Sequence, residues 1–526
     1  MTSSNFKKWN NILGWFAFLI ALITYSLTVE PTVSYWDAGE YILTSAKLQV
    51  GHPPGAPLFQ MLGAFFSTFA ISPENIGLML NMVSAVSSAF TILFMFWSIS
   101  LLLQKMIKTE ESTTSKSYAI LGSALVGSIT FAFTDSFWFN AVETEVYAMA
   151  TLIMSLLFYC ALRWENDMHN PRGNRWLILI AFIIGLSFGV HFMGLLTIPA
   201  IGLIYYFKNY KTVTLTNFIV ANVVSVAILL FIFKLLAPNI IRFFSLIEIF
   251  FVNVIGLPFN SGSIIAGLLL IAAIYFGLKH TKNKGYKHLN TAILCVTFVV
   301  IGFSSWLMLP IRANADVVIN ENNPSSAREL LAYYNLEQYP KTHLFYGPLF
   351  TDQYAALNPD KEDAYRDDKP KYEKDLKLGK YVIVNDYKDA VQNYNYDHAS
   401  VLPRMWSGEH AENYMLFSGF LDYTLKEKFN VDVFTQKKIA DFIEKYQQNQ
   451  LTEREYDEFM AVYGDKLNIA LSPRIQKDVA FINQFKSKVA EGKVDYEGYH
   501  RFLKEYGQEY LDIEKPSFID NTVYLF

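Results

Sequence analysis

The run IGLMLNMVSAVSSAFTILFMFWSISLLLQ, residues 76–104, contains no charged side chain. A helix needs about 20 mostly apolar residues to cross the hydrocarbon core of a bilayer, and this run is longer than that. It therefore predicts a membrane-spanning helix. Similar apolar runs predict further spans at residues 10–28, 118–134, 142–163, 213–235, 262–278 and 289–309.

Charge divides the chain near residue 309. Residues 1–309 hold 12 acidic and 17 basic side chains, whereas residues 310–526 hold 36 acidic and 27 basic ones. Overall, 52% of the residues are hydrophobic, which is high for a soluble protein. The first part is predicted to be a transmembrane domain, and the second a water-facing domain of mixed α/β or mostly helical structure. The net charge of −4, without a basic stripe, gives no reason to expect nucleic-acid binding.

The stretch 176–207 is too long for one straight span. Basic residues flank it on both sides, namely Arg172, Arg175, Lys208 and Lys211. Because basic residues mark the cytoplasmic side, we predict two short helices that cross, meet near His191 and return. This count gives about nine spans and places residues 310–526 on the outer, extracytoplasmic face of the cytoplasmic (inner) membrane. The shorter apolar segment 57–71 predicts a re-entrant or interfacial helix.

Acidic residues are rare in the predicted membrane part, and most fall at or near its outer face. Asp37 and Glu40 follow the first helix in YWDAGEY, and Glu143 and Glu145 begin the fourth in ETEVY. Ionisable groups at membrane depth are expensive and favour a functional role, although acids at a helix end also simply solvate a loop. Asp37 and Glu40 share one helix face, and two such carboxylates can serve as general base and as anchor. We predict a site that acts on a polar substrate at the outer leaflet.

Three more residues on that side are candidates for substrate binding. His52 lies in GHPPG and His191 at the predicted helix break, where each is also explained as a turn residue or a backbone-bonded residue. Arg312 follows the ninth helix, where its planar fork suits a phosphate or a lipid headgroup. No metal site is predicted. Whether a divalent cation binds stays open. Glu143 and Glu145 could serve as ligands, but on a helix they would alternate faces.

Two stretches are distinctive when taken together, VSYWDAGEY at 33–41 and GHPPGAPL at 51–58. They resemble the opening of the bacterial DUF2723 family, which is similar to the protein O-mannosyltransferases and belongs with the GT-C membrane glycosyltransferases. ETEVY, PIRANAD at 310–316 and NENNP at 320–324 fit the same family. The resemblance covers about residues 10–350.

The resemblance implies a transferase that moves a sugar from a polyprenyl-phosphate donor to an acceptor hydroxyl, on protein Ser/Thr or a glycan, at the outer face. In such enzymes an acidic residue of the first outer loop is the catalytic base, which maps onto Asp37, with Glu40 as the second acid. Family members continue into further membrane helices, so this chain, which ends in the apolar residues 521–526, is expected to be truncated or split.

Two other functions stay open. A transporter for lipid-linked glycans would place its charges near the bilayer midplane and show repeated halves, whereas the acidic residues here gather at one face. An inactive, binding-only assembly partner is the second alternative, because the expected truncation puts full activity in question.

Overall fold

The apolar runs form long helices in the computed structural model. The structure describes residues 3–107, 113–339, 343, 345–358, 360–403 and 410–519. The chain forms two compact units, residues 1–339 with 373–382 and residues 340–372 with 383–526. The roles assigned above to residues 1–309 and 310–526 stay predictions, and the chain end at 521–526 lies outside the described residues.

The first unit is helical. Its described α-helices are α1 (Ser3–Thr28), α2 (Ala38–Ala46), α3 (Pro57–Ser67), α4 (Ile76–Met106), α5 (Thr114–Ala132), α6 (Asp135–Ala141), α7 (Val146–Asp167), α8 (Asn174–Ser187), α9 (Ile198–Asn209), α10 (Leu215–Leu230), α11 (Ala237–Ile249), α12 (Ser261–Asn283), α13 (Lys287–Phe303), α14 (Met308–Ala313) and α15 (Ala327–Tyr334). Short 3₁₀-helices extend several of them, at Pro73–Asn75, Phe192–Thr197 and Ser304–Leu307.

Within the described ranges, six helical stretches are long and apolar enough to cross a membrane. They are Asn5–Thr28, Pro73–Met106, Val146–Asp167, Leu215–Val254, Ser261–Asn283 and Lys287–Ala313. The pair α5 and α6, bent by 68°, is a seventh if it counts as one span. The chain therefore has several helices able to span a membrane, but the predicted nine spans are not confirmed.

Two short helices account for the difference. α8 has 14 residues and α9 has 12, so they rise only about 21 and 18 Å, less than the apolar core of roughly 30 Å. The predicted break near His191 is confirmed, because α8 ends at Ser187 and α9 begins at Ile198. α3, with 11 residues, is also too short to span.

The apolar run 213–235 belongs to a longer helical stretch than predicted. α10 and α11 join through π-helical turns into the stretch Leu215–Val254 of 40 residues. Pro238 lacks a backbone N–H and lies two residues after the first π-helical turn. A wider turn is one way in which a helix tolerates a missing i→i−4 hydrogen bond.

The segment between α8 and α9 holds the start of α3. The carbonyl of Gly189 accepts hydrogen bonds from the backbone N–H groups of Leu58 at 2.7 Å and Phe59 at 3.2 Å. The indole Nε1 of Trp306 donates to the carbonyl of Phe188 at 2.7 Å. These bonds satisfy backbone groups left unpaired by a helix start and a helix end, and they fix the chain beside the loop 51–55.

The second unit combines helices with some short strands. Its described α-helices are α16 (Ala411–Ser418), α17 (Val433–Gln447), α18 (Glu453–Leu471), α19 (Pro473–Ala490) and α20 (Tyr496–Tyr510). The strands after residue 340 are β1 (Tyr346–Pro348), β2 (Tyr365–Arg366), β3 (Lys371–Asp375), β4 (Lys380–Asn385), β5 (Val391–Gln392), β6 (Ala399–Val401), β7 (Tyr423–Leu425) and β8 (Leu511–Ile513). The pairs are β1–β6, β2–β5, β3–β4 and β7–β8.

Polar caps start the helices of the second unit. The side chains of Asp432, Thr452, Ser472 and Asp495 each accept a hydrogen bond from a backbone N–H in the first turn of α17, α18, α19 and α20 respectively. Such caps stabilise a helix start by about 1 kcal/mol each. The aromatic faces of these helices form the core of the unit, with Tyr499 and Phe502 almost fully buried.

Candidate active site

Asp37 stands at the start of α2 with its carboxylate turned to solvent. It is the N-cap residue of α2, but its side chain makes no capping hydrogen bond, and 60% of that side chain is exposed. Trp36 has a left-handed backbone with φ of 59°, which is uncommon for a bulky residue. Tyr35 and Trp36 are also exposed. The carboxylate of Asp37 is thus available to a substrate.

Glu40 lies one turn further along α2 and binds His52. One carboxylate oxygen, Oε1, accepts from the backbone N–H of His52 at 2.6 Å, and Oε2 lies 2.9 Å from its Nδ1. A Cβ at position 51 would lie 2.6 Å from Glu40 Oε1, so a larger residue there would displace the Glu40 carboxylate from His52. The other ring nitrogen of His52 faces Asp37, with Nε2 and Oδ2 separated by 3.8 Å. His52 therefore sits between two carboxylates, one engaged and one open.

The pair of Glu40 and His52 is tuned towards its charged form. The hydrogen bond to His52 lowers the pKa of Glu40 below its usual value. The same bond, with smaller effects from the charges of Glu40 and Asp37, raises the pKa of His52. An opposite charge within hydrogen-bonding distance favours the ionised form of both groups. We therefore expect an imidazolium at His52 below its raised pKa.

Glu143 and Glu145 are buried beside these residues, at 5% and 8% exposure. The segment is held by Asn81 of α4, whose Oδ1 accepts a hydrogen bond from the hydroxyl of Thr144. Burial raises the pKa of Glu143. It also raises the pKa of Glu145 to about 7, with help from the charges of Asp37 and Glu143. Glu145 is thus a carboxyl that changes charge near neutral pH, a property common in catalytic acids and bases.

The raised pKa of Glu145 has a consequence for stability. We expect Glu145→Gln to raise the melting temperature at pH 8 and to change it little near pH 4.5. The pKa rises from 4.5 in the unfolded chain to about 7 in the folded protein, so the folded state keeps a proton that the unfolded chain loses in this window. Stability from this group is therefore lost as the pH rises from about 4.5 to 7. Melting of purified protein across this range measures the slope.

The control for this measurement is Glu453→Gln, at an exposed position in the first turn of α18. It should leave the dependence of melting on pH as in the wild type. An unchanged slope in Glu145→Gln would contradict the placement of Glu145 in a buried, negatively charged surrounding.

His191 and Arg312 take different places. The Nδ1 atom of His191 accepts from the backbone N–H of Met193 at 3.1 Å, and its ring lies 5.3 Å from that of Tyr147, two residues after Glu145. Arg312 donates to the carbonyls of Leu48, at 2.5 Å from Nε, and Lys47, at 3.2 Å from Nη2. These carbonyls lie at the C-terminal end of α2, so the guanidinium caps that end of the helix. Asp37 lies at the other end, about 13 Å away along a helix of nine residues.

Three further residues lie around the site and were not predicted from the sequence. The Tyr41 ring lies 5.6 Å from that of His52, and the hydroxyl of Tyr333 donates to the carbonyl of Gly51 at 2.5 Å. Glu321 is close enough for the charges of Glu40 and His52 to affect its pKa, which burial raises. A signal existed for Glu321, which lies in the stretch NENNP. The tyrosines carry no distinguishing pattern, since Tyr is common in this chain.

The loop 49–52 is tied to the segment after α14. The backbone N–H of Val50 donates to the carbonyl of Ile319 at 3.0 Å, and the N–H of Glu321 donates to the carbonyl of Val50 at 3.0 Å. This parallel bridge between Val50 and Asn320 brings Glu321 next to His52. In the described part of the chain, no group of three or more His, Cys, Asp or Glu side chains is arranged to hold a metal ion.

Known proteins resemble the two ends of the chain separately. Residues 37–214 match the family model described as the protein O-mannosyl-transferase TMEM260 N-terminal domain. Residues 340–526 match a family of unknown function, DUF8416. Six of the seven predicted site residues, all except Arg312, fall within the first match.

Curated relatives carry the same name as the first family. The protein O-mannosyl-transferase tmem260 of Dictyostelium discoideum is 29% identical over 201 residues, which are 35% of this chain and 22% of the relative. The protein O-mannosyl-transferase TMEM260 of Mus musculus is 27% identical over 164 residues, 31% of this chain and 21% of the relative. The matched region spans about a fifth of the length of these relatives. No solved structure matches the chain. The comparisons support an O-mannosyltransferase-like family for the part of the chain that carries the carboxylates.

Proposed function

We propose that this chain is a GT-C type membrane glycosyltransferase that transfers a sugar from a polyprenyl-phosphate donor to an acceptor hydroxyl, preferably of a protein Ser or Thr. The observation that carries the proposal is the open carboxylate of Asp37, 3.8 Å from a His52 that Glu40 holds in place. The names of the relatives agree with a glycosyltransferase that acts on proteins. The narrower resemblance to the DUF2723 family stays a prediction.

In the proposed reaction, Asp37 is the general base. It takes the proton of the acceptor hydroxyl while the acceptor oxygen forms a bond to the anomeric carbon. The bond between that carbon and the donor's phosphate oxygen breaks, and the polyprenyl phosphate leaves with the electron pair. A base that is exposed and lies within reach of a substrate hydroxyl suits this step.

The neighbours of Asp37 have positioning roles in this scheme. His52, as an imidazolium, orients the Asp37 carboxylate. Glu40 holds His52 in position through hydrogen bonds to its backbone N–H and its ring. Glu143, Glu145 and His191 are proposed to bind substrate on the buried side. The predicted contact of Arg312 with the donor phosphate requires the guanidinium to leave the carbonyls of Leu48 and Lys47 or to share its remaining N–H groups.

An apolar cavity supports a lipid-linked donor. A cavity of about 800 Å³ lies between α8, α9, α10 and α13, with walls that include Ile184, Ala221 and Val299. This volume falls within the range of about 300–1,000 Å³ that is usual for ligand pockets. Most side chains of α10, which forms one wall, are exposed, so bilayer lipid can reach it. We propose that the isoprenoid chain of the donor lies in this cavity.

Filling the cavity should weaken the long donor selectively. Ala221→Phe, which places a ring in the cavity wall, is expected to raise the KM for a long-chain polyprenyl donor about 10-fold, because burial of about two CH₂ or CH₃ groups at about 0.8 kcal/mol each is lost. The KM for a short citronellyl donor should change little. The matched control is Ala227→Phe, at an exposed position of the same helix outside the cavity lining. Equal KM values for both variants would place the chain elsewhere.

We propose that the C-terminal part faces the outside of the cytoplasmic membrane, because basic residues crowd the opposite loops. A cysteine at the exposed Asn449, in a background without Cys160 and Cys295, should react with an impermeant thiol reagent in intact spheroplasts. A cysteine at Asn283, at the end of α12, should react only after lysis. The reverse pattern would contradict this orientation.

The function itself is tested by purified protein in detergent or nanodiscs. We expect transfer of mannose or another hexose from a polyprenyl-phosphate donor to a peptide that contains Ser and Thr, detected by mass spectrometry. Failure with every donor of a panel, by protein that melts cooperatively, would contradict the proposal. Donor-stimulated flipping of a fluorescent lipid-linked glycan in vesicles would then favour the transporter, and neither activity would favour the binding-only partner.

A further inference from the structure

A second cavity lies within the C-terminal unit and differs from the first in chemistry. It has a volume of about 570 Å³. Its walls are the segment 352–357, the segment 392–395 and the end of α20 at Gln508 and Glu509. Most of the lining side chains are amides or carboxyls, so this cavity suits a polar ligand.

The frame of the cavity is held by hydrogen bonds. Asn395, which is 6% exposed, donates from its backbone N–H to Asp352 Oδ1 at 2.6 Å and from Nδ2 to the carbonyl of Ala356 at 2.8 Å. The side chain of Gln508 donates to the carbonyl of Gln353 at 3.2 Å. These bonds join all three wall segments, which therefore present a preformed site.

Asp352 is the central group of this cavity. Its Oδ1 is engaged by Asn395, and in the described residues no donor is paired with Oδ2. Burial, with a smaller effect from the charge of Glu362, raises the pKa of Asp352 to about 6. The carboxyl is partly removed from water, which is costly for its charged form, and a hydroxyl donor from a ligand would offset part of that cost.

The side chains define the class of ligand. Gln353, Gln392, Asn393 and Gln508 offer both donors and acceptors, which suits neighbouring hydroxyl groups that also do both. Tyr394 adds an aromatic ring. A phosphate or nucleic acid is disfavoured, because the described lining residues include carboxyls and no Lys or Arg.

We infer that this cavity of the C-terminal unit binds a neutral saccharide, as a site separate from the carboxylates around Asp37. The inference goes beyond the proposed function, because it assigns a binding role to a part of the chain whose family has no described function. It does not require transfer activity.

The test is saturation-transfer NMR on the full chain in nanodiscs, with methyl α-mannoside, methyl α-glucoside, N-acetylglucosamine and mannobiose as probes. We expect at least one probe to bind wild-type protein. Gln508→Ala should weaken that binding about 3- to 10-fold, because it removes a neutral hydrogen bond. Asp352→Asn should weaken it about 10-fold, because hydrogen bonds to ionised groups are stronger, while Asn still accepts from the backbone of Asn395.

Matched controls lie in the same unit but outside the cavity. Gln448→Ala, at the C-cap of α17, and Asp441→Asn, at an exposed position of that helix, should bind like the wild type. Asp37→Asn should also bind normally, which separates this site from the proposed transfer site. Glu509→Gln, an exposed cavity position, provides a third cavity variant that is expected to fold whether or not Asp352→Asn does.

Three outcomes would overturn the inference. The first is that no probe binds wild-type protein. The second is that binding is unchanged in all three cavity variants or is lost in Asp37→Asn. The third is that oligolysine, but no saccharide, binds in a way that depends on Asp352, which would make the cavity a site for cationic peptides.

Discussion

Asp37→Asn is expected to reduce sugar transfer by about 10²–10⁴-fold, the usual loss when a general base is removed. Asparagine keeps the size of the side chain but cannot take a proton at neutral pH. The side chain of Asp37 is 60% exposed and makes no capping hydrogen bond, so folding should be unaffected. The measurement is the initial rate of transfer from a polyprenyl-phosphate donor to a Ser/Thr peptide, with the melting temperature measured in parallel.

The transfer rate of Asp37→Asn is compared with the rates of two other variants. Glu74→Gln changes an exposed acid before α4 and should transfer at the wild-type rate. Glu40→Gln should be damaged less than Asp37→Asn, because Glu40 acts through His52, and the lost charge should lower the pKa of His52. The pH at which activity falls on the alkaline side should then move to lower pH. Wild-type activity in Asp37→Asn would remove Asp37 from the mechanism.

Asn81→Leu is expected to destabilise the membrane part by about 2–4 kcal/mol. The side chain of Asn81 is fully buried, and its Nδ2 donates to the carbonyls of Glu30 at 2.6 Å and Thr32 at 3.0 Å. Its Oδ1 accepts from Thr144. Leucine has a similar size but leaves the buried hydroxyl of Thr144 and two partly buried carbonyls unpaired. A buried unpaired group costs about 1–3 kcal/mol, and a partly exposed one costs less. Thermal unfolding in one detergent measures the difference.

The matched control for Asn81→Leu is Ser88→Ala on the same helix. Ser88 is also fully buried, but in the described residues its hydroxyl has no hydrogen-bond partner, so its removal should be close to neutral. A functional readout distinguishes a local role for Asn81. Because Thr144 lies between Glu143 and Glu145, we expect Asn81→Leu to reduce transfer even at temperatures where the protein stays folded. An unchanged melting temperature would contradict the buried network.

Much of the candidate site followed from local sequence. The spacing of Asp37 and Glu40 predicts a shared helix face, and in the structure α2 begins directly after Asp37, its N-cap residue. The break near His191 followed from the basic residues that flank the stretch 176–207, because charge position constrains how a chain crosses a membrane. Such inferences depend on composition and on spacing within one element, and both can be read directly from the sequence.

The number of spans did not follow from local sequence. Hydropathy identifies apolar runs but not where a helix ends. α8 is apolar enough but too short to span, and α9 is shorter still. The sequence also did not predict that the helical stretch of α10 continues to Val254 through π-helical turns. Helix ends depend on which backbone groups find partners elsewhere, such as the carbonyl of Gly189 with the start of α3. These partners come from distant parts of the chain.

The sequence by itself determined that this protein has a membrane part poor in charge, a charged C-terminal part, and a small set of acids near helix ends. Only the tertiary structure decided which of them interact. In it, His52 lies between Glu40 and Asp37, and the guanidinium of Arg312 lies at the C-terminal end of α2. Glu145 is buried, which raises its pKa to about 7. The physical reason is that hydrogen bonding and desolvation act over a few ångströms, and residues far apart in the chain reach that distance only through folding.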